Sequence, residues 1–206
     1  MLRMLISLTA VLLLSACASK PALTPHPTPS PSASDASEST PVTTPTARDL
    51  RQWQAKGKVG IRFLGQSITA TYRWERQQDD FSADAAGALN QGYTTLISRQ
   101  GIVTLENAWL GRHESADGEG LLQAVTSIRV PLSHLNAWFM GWPKDPSTTI
   151  ETPTDGRGVR QFNEYGWHIV VASEQTAQGY RIPERLIATQ DSTRLVISLT
   201  EWTPSP

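Results

Sequence analysis

One side chain near the amino terminus can carry covalent chemistry by its type and its neighbours. Cys17 is the only cysteine in the 206-residue chain. It follows Leu14, Ser15 and Ala16, an aliphatic residue and two small ones, which is the pattern of a lipobox. Small residues suit the narrow cleft of a signal peptidase, and the thiol is the atom that receives a diacylglycerol. Upstream, Arg3 precedes an apolar run from Met4 to Leu14. Spanning a bilayer takes about 20 apolar residues, so this shorter run reads as a signal peptide over residues 1–16. Acylation of Cys17 consumes the one thiol, leaving nothing for disulfides, thiolate catalysis or cysteine metal sites. Two hydrophobic signals already anchor a protein stably, and a lipoprotein amino terminus typically carries three acyl chains. Ala18 and Ser19 follow the cysteine. Neither is the aspartate that retains lipoproteins at the inner membrane of enteric bacteria, so the expected address is the outer membrane.

Other reactive patterns are incomplete. Gly65, Gln66 and Ser67 resemble the start of a nucleophile elbow, but Thr69 stands where that motif needs glycine, and the surroundings read as a hairpin. Gly57 and Lys58 lack the upstream glycine and downstream hydroxyl of a phosphate loop. His113, His134 and His168 show no metal-ligand spacing on a shared element. Asp79, Asp80, Glu114, Asp117 and Glu119 fall mainly in expected turns. A glycosidase pair needs no sequence proximity, and no pattern here marks one. A net charge of −1 without a lysine/arginine cluster argues against nucleic acid. The expectation is a protein that is not an enzyme, with no metal and no cofactor beyond the covalent lipid on Cys17.

The elements that position the remaining side chains fall in two stretches. Residues 17–47 are dominated by Pro, Ser, Thr and Ala, with Leu23 and Val42 the only large aliphatics. Such a segment buries too little apolar surface to offset ordering, and its prolines favour an extended spacer. Residues 48–206 suffice for a single domain with its own core. Apolar residues there alternate with period two. Val59, Ile61 and Phe63 face one way in one segment, and Ile68, Ala70, Tyr72 and Trp74 in the next, with Gly65 and Gln66 turning the hairpin. Phe81 to Ala85, Tyr93 to Ile97, Ile102 to Leu105, Trp167 to Val171, Arg185 to Ala188 and Leu195 to Trp202 read as further strands. The middle changes period. Leu121, Leu122, Val125 and Ile128 have helical spacing over 119–128, with Asp117 as cap. A second helix is predicted over 132–140, between Pro131 at its start and Gly141 with Pro143 at its end. The expected fold is mainly β with a few helices: a barrel or strongly curved antiparallel sheet, its concave side plugged or covered by helices.

From Trp53 to Trp202 the chain resembles the LolB family of outer-membrane lipoprotein receptors. The most specific part is Pro131, Leu132, Leu135, Trp138, Gly141 and Pro143, supported by Gly57, Trp74, the Gly166–Trp167 pair and Pro183. The resemblance implies an open half-barrel with helices over its mouth. It implies a receptor that takes acylated lipoproteins from a soluble periplasmic carrier of the LolA type and inserts them into the outer membrane. It also implies an apolar loop with an exposed leucine that contacts membrane. The matching segment runs from Gly87 to Gly92, which puts Leu89 at the leucine position, with Ala88 and Asn90 where the family usually has proline and glycine.

Ile61, Phe63, Tyr72, Trp74, Leu135, Trp138, Phe139, Trp142 and Trp167 are the expected lining of a hydrophobic cavity. Large aromatics also fill cores. In a half-barrel both roles share one face, so depth alone separates them. The expected partners are the carrier, the acylated cargo and outer-membrane lipid, and the expected state is a monomer. A lipoprotein that scaffolds an envelope assembly without holding lipid, and a cell-wall hydrolase, remain as other readings of the residues.

Overall fold

The computed structural model describes residues 44–156 and 158–205. The signal peptide, Cys17 and most of the expected tether lie outside the described residues. The folded chain already begins within the last tether residues. Arg181 N–H donates to Pro45 O at 2.8 Å, Thr46 bridges to Arg181, and Ala47 is buried.

Eleven strands make one antiparallel sheet: β1 (Gln52–Phe63), β2 (Gln66–Gln77), β3 (Asp80–Ala86), β4 (Thr94–Arg99), β5 (Ile102–Asn107), β6 (Gly111–Ser115), β7 (Ile150–Glu151), β8 (Arg160–Glu164), β9 (Trp167–Ala177), β10 (Tyr180–Gln190) and β11 (Thr193–Pro204). Their order is β6-β5-β4-β3-β2-β1-β11-β10-β9-β8-β7. The first and last strands pair along their length, from Trp53 opposite Pro204 to Arg62 opposite Arg194. They join two meanders into one curved sheet. β6 and β7 are left as free edges, so the barrel stays open. The chain between those edges must cross the concave face. It does so as two helices, α1 (Gly118–Thr126) and α2 (Leu132–Phe139).

Period-two alternation sets which side chains face inward. Ile61 sits opposite Ile68 on one side and Leu195 on the other, and Ala55 opposite Trp74 and Trp202. The ladder is irregular between Lys56 and Gly57. A Cβ on Gly57 would lie 1.8 Å from Ser198 O, so only glycine allows this approach. Tyr72 Oη donates to the same Ser198 carbonyl at 3.3 Å.

Tight two-residue turns join most strands. Leu64–Gly65, Gln100–Gly101, Tyr165–Gly166 and Gln178–Gly179 have positive φ at both positions, matching the twist of the hairpins they close. The first hairpin therefore turns at Leu64 and Gly65, one residue earlier than the sequence reading, and Gln66 pairs with Phe63. Because the sheet is a meander, its turns alternate between two rims. The β1–β2, β3–β4 and β5–β6 turns share one rim, and the β2–β3 and β4–β5 turns share the other.

The helices differ in how they are held. Asp117 accepts from Gly120 N–H at 2.9 Å and caps α1. Gly118 is the one buried residue of α1, and a Cβ there would meet Val103 Cγ2 at 2.3 Å. α2 buries Leu132, Asn136, Trp138 and Phe139.

Candidate functional site

A cavity of about 470 Å³ lies on the concave face between the sheet and the helices. Its walls come from both meanders. Val59, Ile61 and Phe63 of β1, Ile68, Tyr72 and Trp74 of β2, and Leu195 and Ile197 of β11 form one wall. Ala83, Ala85, Leu96 and Leu105 continue it across β3 to β5. Leu122 and Thr126 of α1, Ile128 and Val130 of the connection, and Leu135 and Phe139 of α2 close it from above. Gln66, Asp84, Thr94 and Thr126 are the polar residues in this lining. The size falls within the range of about 300–1,000 Å³ typical of ligand sites. Such a wall offers an apolar guest burial and few hydrogen bonds.

Of the nine residues expected to line a cavity, Ile61, Phe63, Tyr72, Trp74, Leu135 and Phe139 are brought together in it. Trp138, Trp142 and Trp167 are not. Leu135 and Phe139 are four apart and share one face of α2, whereas Trp138 is turned towards β8 and β9. There its indole N–H donates to Glu164 Oε2 at 2.6 Å, and its ring lies 6.3 Å from that of Trp167. Trp167 opens β9, is buried, and packs in the solid part of the core. Trp142 lies beyond the end of α2. The Arg160 guanidinium sits 4.2 Å from its ring centre and that of Arg48 5.0 Å.

A floor of aromatics separates the solid core from the cavity. Phe139 approaches Trp74 at 4.7 Å, Tyr72 at 5.5 Å and Trp53 at 6.1 Å, and Trp74 stacks on Phe81 at 4.4 Å. Trp74 Nε1 donates to Asn136 Oδ1 at 2.9 Å, fixing α2 over this floor. Burial raises the Tyr72 phenol well above its ordinary value, so it stays neutral and donates to Ser198 O. The loop after α2 is held by Glu164, which also accepts from Lys144 N–H at 3.1 Å and Asp145 N–H at 2.7 Å. Arg160, buried beside it on β8, donates to Gly141 O at 2.8 Å and pairs with Glu174. Burial lowers its pKa and the Glu174 carboxylate opposes that shift.

The lining residues that sequence reading did not nominate include Val59, Ile68, Leu96, Leu105, Leu195 and Ile197. Their inward alternation was visible. Which strands neighbour one another was not, and that register decides who shares a wall.

Leu89 lies at the tip of the β3–β4 connection and is 93% exposed. The loop is cinched by Gly87 N–H to Gln91 O at 2.8 Å and Gln91 N–H to Ala88 O at 3.2 Å. Leu89 adopts φ 55° and ψ 32°, and Asn90 has φ 60°. Asparagine tolerates this left-handed conformation, while a leucine there costs about 1–2 kcal/mol. The three described histidines make ordinary contacts. His168 bonds Asn163 at 2.9 Å, His113 bonds Leu110 O at 2.7 Å, and His134 lies against Trp138 and Tyr165.

Residues 51–202 match the family model described as outer membrane lipoprotein LolB. An outer-membrane lipoprotein LolB of Pseudomonas fluorescens is 33% identical over 152 residues, covering 74% of each chain. That of Pseudomonas putida is 32% identical over 206 residues, covering 98% of this chain and 97% of that one. That of Pseudomonas paraeruginosa is 31% identical over 204 residues with the same coverage. The matched span holds the whole sheet to Trp202, both helices and the Leu89 loop, and by sequence this chain belongs to the LolB family of outer-membrane lipoproteins.

Proposed function

We propose that the domain is a receptor that accepts the acyl chains of lipoproteins from a soluble periplasmic carrier and passes them to the outer membrane. The observation that carries this reading is the apolar cavity under α1, on the same molecule as the presented Leu89. Three acyl chains of about fifteen methylenes, at about 0.8 kcal/mol each, would cost roughly 36 kcal/mol to expose to water. Transfer must therefore run from one apolar cavity to another through touching mouths. No nucleotide site is needed if each acceptor in the sequence carrier, receptor, bilayer holds the chains more firmly than the last.

The cavity holds part of such a lipid. Room for more comes from α1, which is secured mainly at its capped amino end and lines the cavity with Leu122 and Thr126. Lifting its carboxyl end widens the site without disturbing α2. Leu89 then biases the domain towards the bilayer. Burying one leucine gains about 1.5–3 kcal/mol, too little to anchor a domain already tethered by lipid and enough to orient it. No residue is assigned a catalytic role.

The test is to incubate the protein with a carrier–lipoprotein complex from the same organism and recover each partner by pull-down. The expected result is that the lipoprotein changes hands, and that a fluorescent lipid probe competes for the cavity. Failure of both with a folded domain would replace this reading with a scaffold that holds no lipid.

A further inference from the structure

The two rims of the sheet carry different side chains. On one, three successive turns present Leu64, Leu89, and Trp109 with Leu110, of which Leu64 is 71% and Trp109 76% exposed. On the other, the turns present Gln78 with Asp79, and Gln100 with Gly101. The β9–β10 turn, also on that rim, presents Gln178 and Gly179. The contrast is sharpest between equivalent positions. Leu64, Gln100 and Gln178 all occupy the first place of a two-residue turn with positive φ. Gln100 and Gln178, on the far rim, are polar, as an exposed turn favours; Leu64 and, in the β8–β9 turn, Tyr165 stand on the Leu89 rim, where the β10–β11 turn presents the polar Asp191 and Ser192. Trp109 is continuous with the Leu89 loop, since a Cβ on Gly92 would lie 3.0 Å from its Cζ3. The segments 85–95 and 107–111 contain no charged residue. Ile68 lines both the cavity and a shallower groove that runs to Trp109 and Leu110, so the apolar route out of the cavity ends at this rim.

We infer that the stretch of this rim from the β1–β2 turn to the β5–β6 turn, not the Leu89 loop alone, is a membrane-docking edge, with Leu64 and Trp109 entering the same leaflet as Leu89. The occupant is a bilayer for two reasons. The family is one of outer-membrane lipoproteins, so a lipid surface is held beside the domain at all times. The charge on the rim also suits phosphates. Arg62 and Arg194 are exposed and directly opposite one another across β1 and β11, and neither forms an ion pair among the described residues. Like charges so placed repel, and lipid headgroup phosphates relieve that repulsion. Tryptophan prefers the boundary between headgroups and acyl chains, and Leu64, Leu89 and Leu110 supply the deeper contact. Successive hairpin turns stand about 10 Å apart, twice the strand spacing, so the three contacts fix the tilt of the cavity mouth where one could not.

This inference rests on the membrane role proposed for Leu89, and the experiment separates the two. Four single-thiol variants of the full lipidated chain, Leu64→Cys, Leu89→Cys, Trp109→Cys and Gln178→Cys, are labelled with a small fluorophore and reconstituted in vesicles carrying brominated acyl chains. The unsubstituted chain reports background labelling. All four sites lie in exposed turns, and matched thermal unfolding checks the fold. Probes at 64, 89 and 109 are expected to be quenched several-fold more than the probe at 178. Quenching at 89 alone would overturn the rim and leave the single-loop reading standing. Equal quenching at 178 would show tethering without orientation and also overturn it. Absence of quenching at all three rim sites would remove both readings.

Discussion

α2 presses Leu132, Asn136, Trp138 and Phe139 into the sheet, whereas α1 buries only Gly118 and leaves Leu122 and Thr126 facing empty space. Both helices cross the same concave face of the same sheet. Under α2 the space is filled by Trp53, Phe162, Trp167, Ile169 and Val171, each at most 1% exposed. Under α1 the aliphatic walls and the aromatic floor of Tyr72, Trp74 and Phe139 leave a space open. The inward-facing strand pattern is the same in both regions. What distinguishes core from cavity is the volume of the side chains that meet from above and how firmly the covering helix is held.

Trp167→Ala should destabilise the protein by about 3–5 kcal/mol, the range for emptying a fully buried aromatic site. Its indole nitrogen has no hydrogen-bond partner, so packing is the whole loss. Urea denaturation measures it. A loss below about 1 kcal/mol would mean that the region under α2 is no better packed than the region under α1.

Gly118→Ala should act mainly on the other region, with a lesser contact to Leu132 Cδ1 of α2 at 3.0 Å. The added methyl meets Val103 Cγ2 at 2.3 Å and must push α1 away from β5. Overpacking of this kind costs about 1–3 kcal/mol. Hydrogen exchange should accelerate in α1 while β9 and β10 keep their protection. Equal acceleration in both regions would show that the helices are one cooperative unit, and the independent lifting of α1 would be ruled out.

Tyr72 stands at the boundary between the regions. Its phenol is raised above the ordinary value near 10 because burial penalises the phenolate. The folded state therefore keeps a proton that the unfolded chain releases above pH ~10. Stability from the neutral phenol is complete below that pH and falls as pH rises through it, by up to about 1.4 kcal/mol per pH unit. Tyr72→Phe should cost about 0.5–1.5 kcal/mol at neutral pH through the lost bond to Ser198 O. It should also flatten the alkaline decline. An unchanged decline would place the phenol in contact with water, and the floor of the cavity with it.

Strands β1, β2 and β11 alternate cleanly and were legible, as were both helices through Asp117, Pro131 and Gly141. β6 was missed because Gly111 to Ser115 is an exposed edge without apolar alternation. β8 was missed because two of its inward residues are charged: Arg160 and Glu164 are buried only because partners across the fold satisfy them. β10 was read short because Pro183 sits inside it, at an irregular part of the ladder with β9. The cavity was legible as a face and illegible as a volume. Tryptophans draw attention by size, and of the four nominated Trp138 and Trp167 went to the filled region and Trp142 to the arginines beyond α2. The small and aliphatic residues that leave a space carry no mark in a single sequence.

Leu89 should show the smallest change in stability and a complete change in function. Leu89→Glu removes no packing, because the side chain touches solvent, so its effect on folding should stay within about 0.5 kcal/mol. Cargo uptake, which depends on the cavity under α1, should be unchanged. Delivery should stop, because a carboxylate cannot enter the acyl region. Leu89→Asn sharpens the point. Asparagine suits the left-handed backbone that leucine resists, so this variant should be more stable by up to about 1 kcal/mol and still fail to deliver. Vesicle transfer assays on both variants, alongside thermal unfolding, give the outcome directly. Normal delivery by either would mean that the exposed leucine is incidental, and that the difference between the two regions ends at the cavity. Failed delivery by a more stable protein would mean that strain at Leu89 is kept for contact with lipid, as emptiness under α1 is kept for cargo.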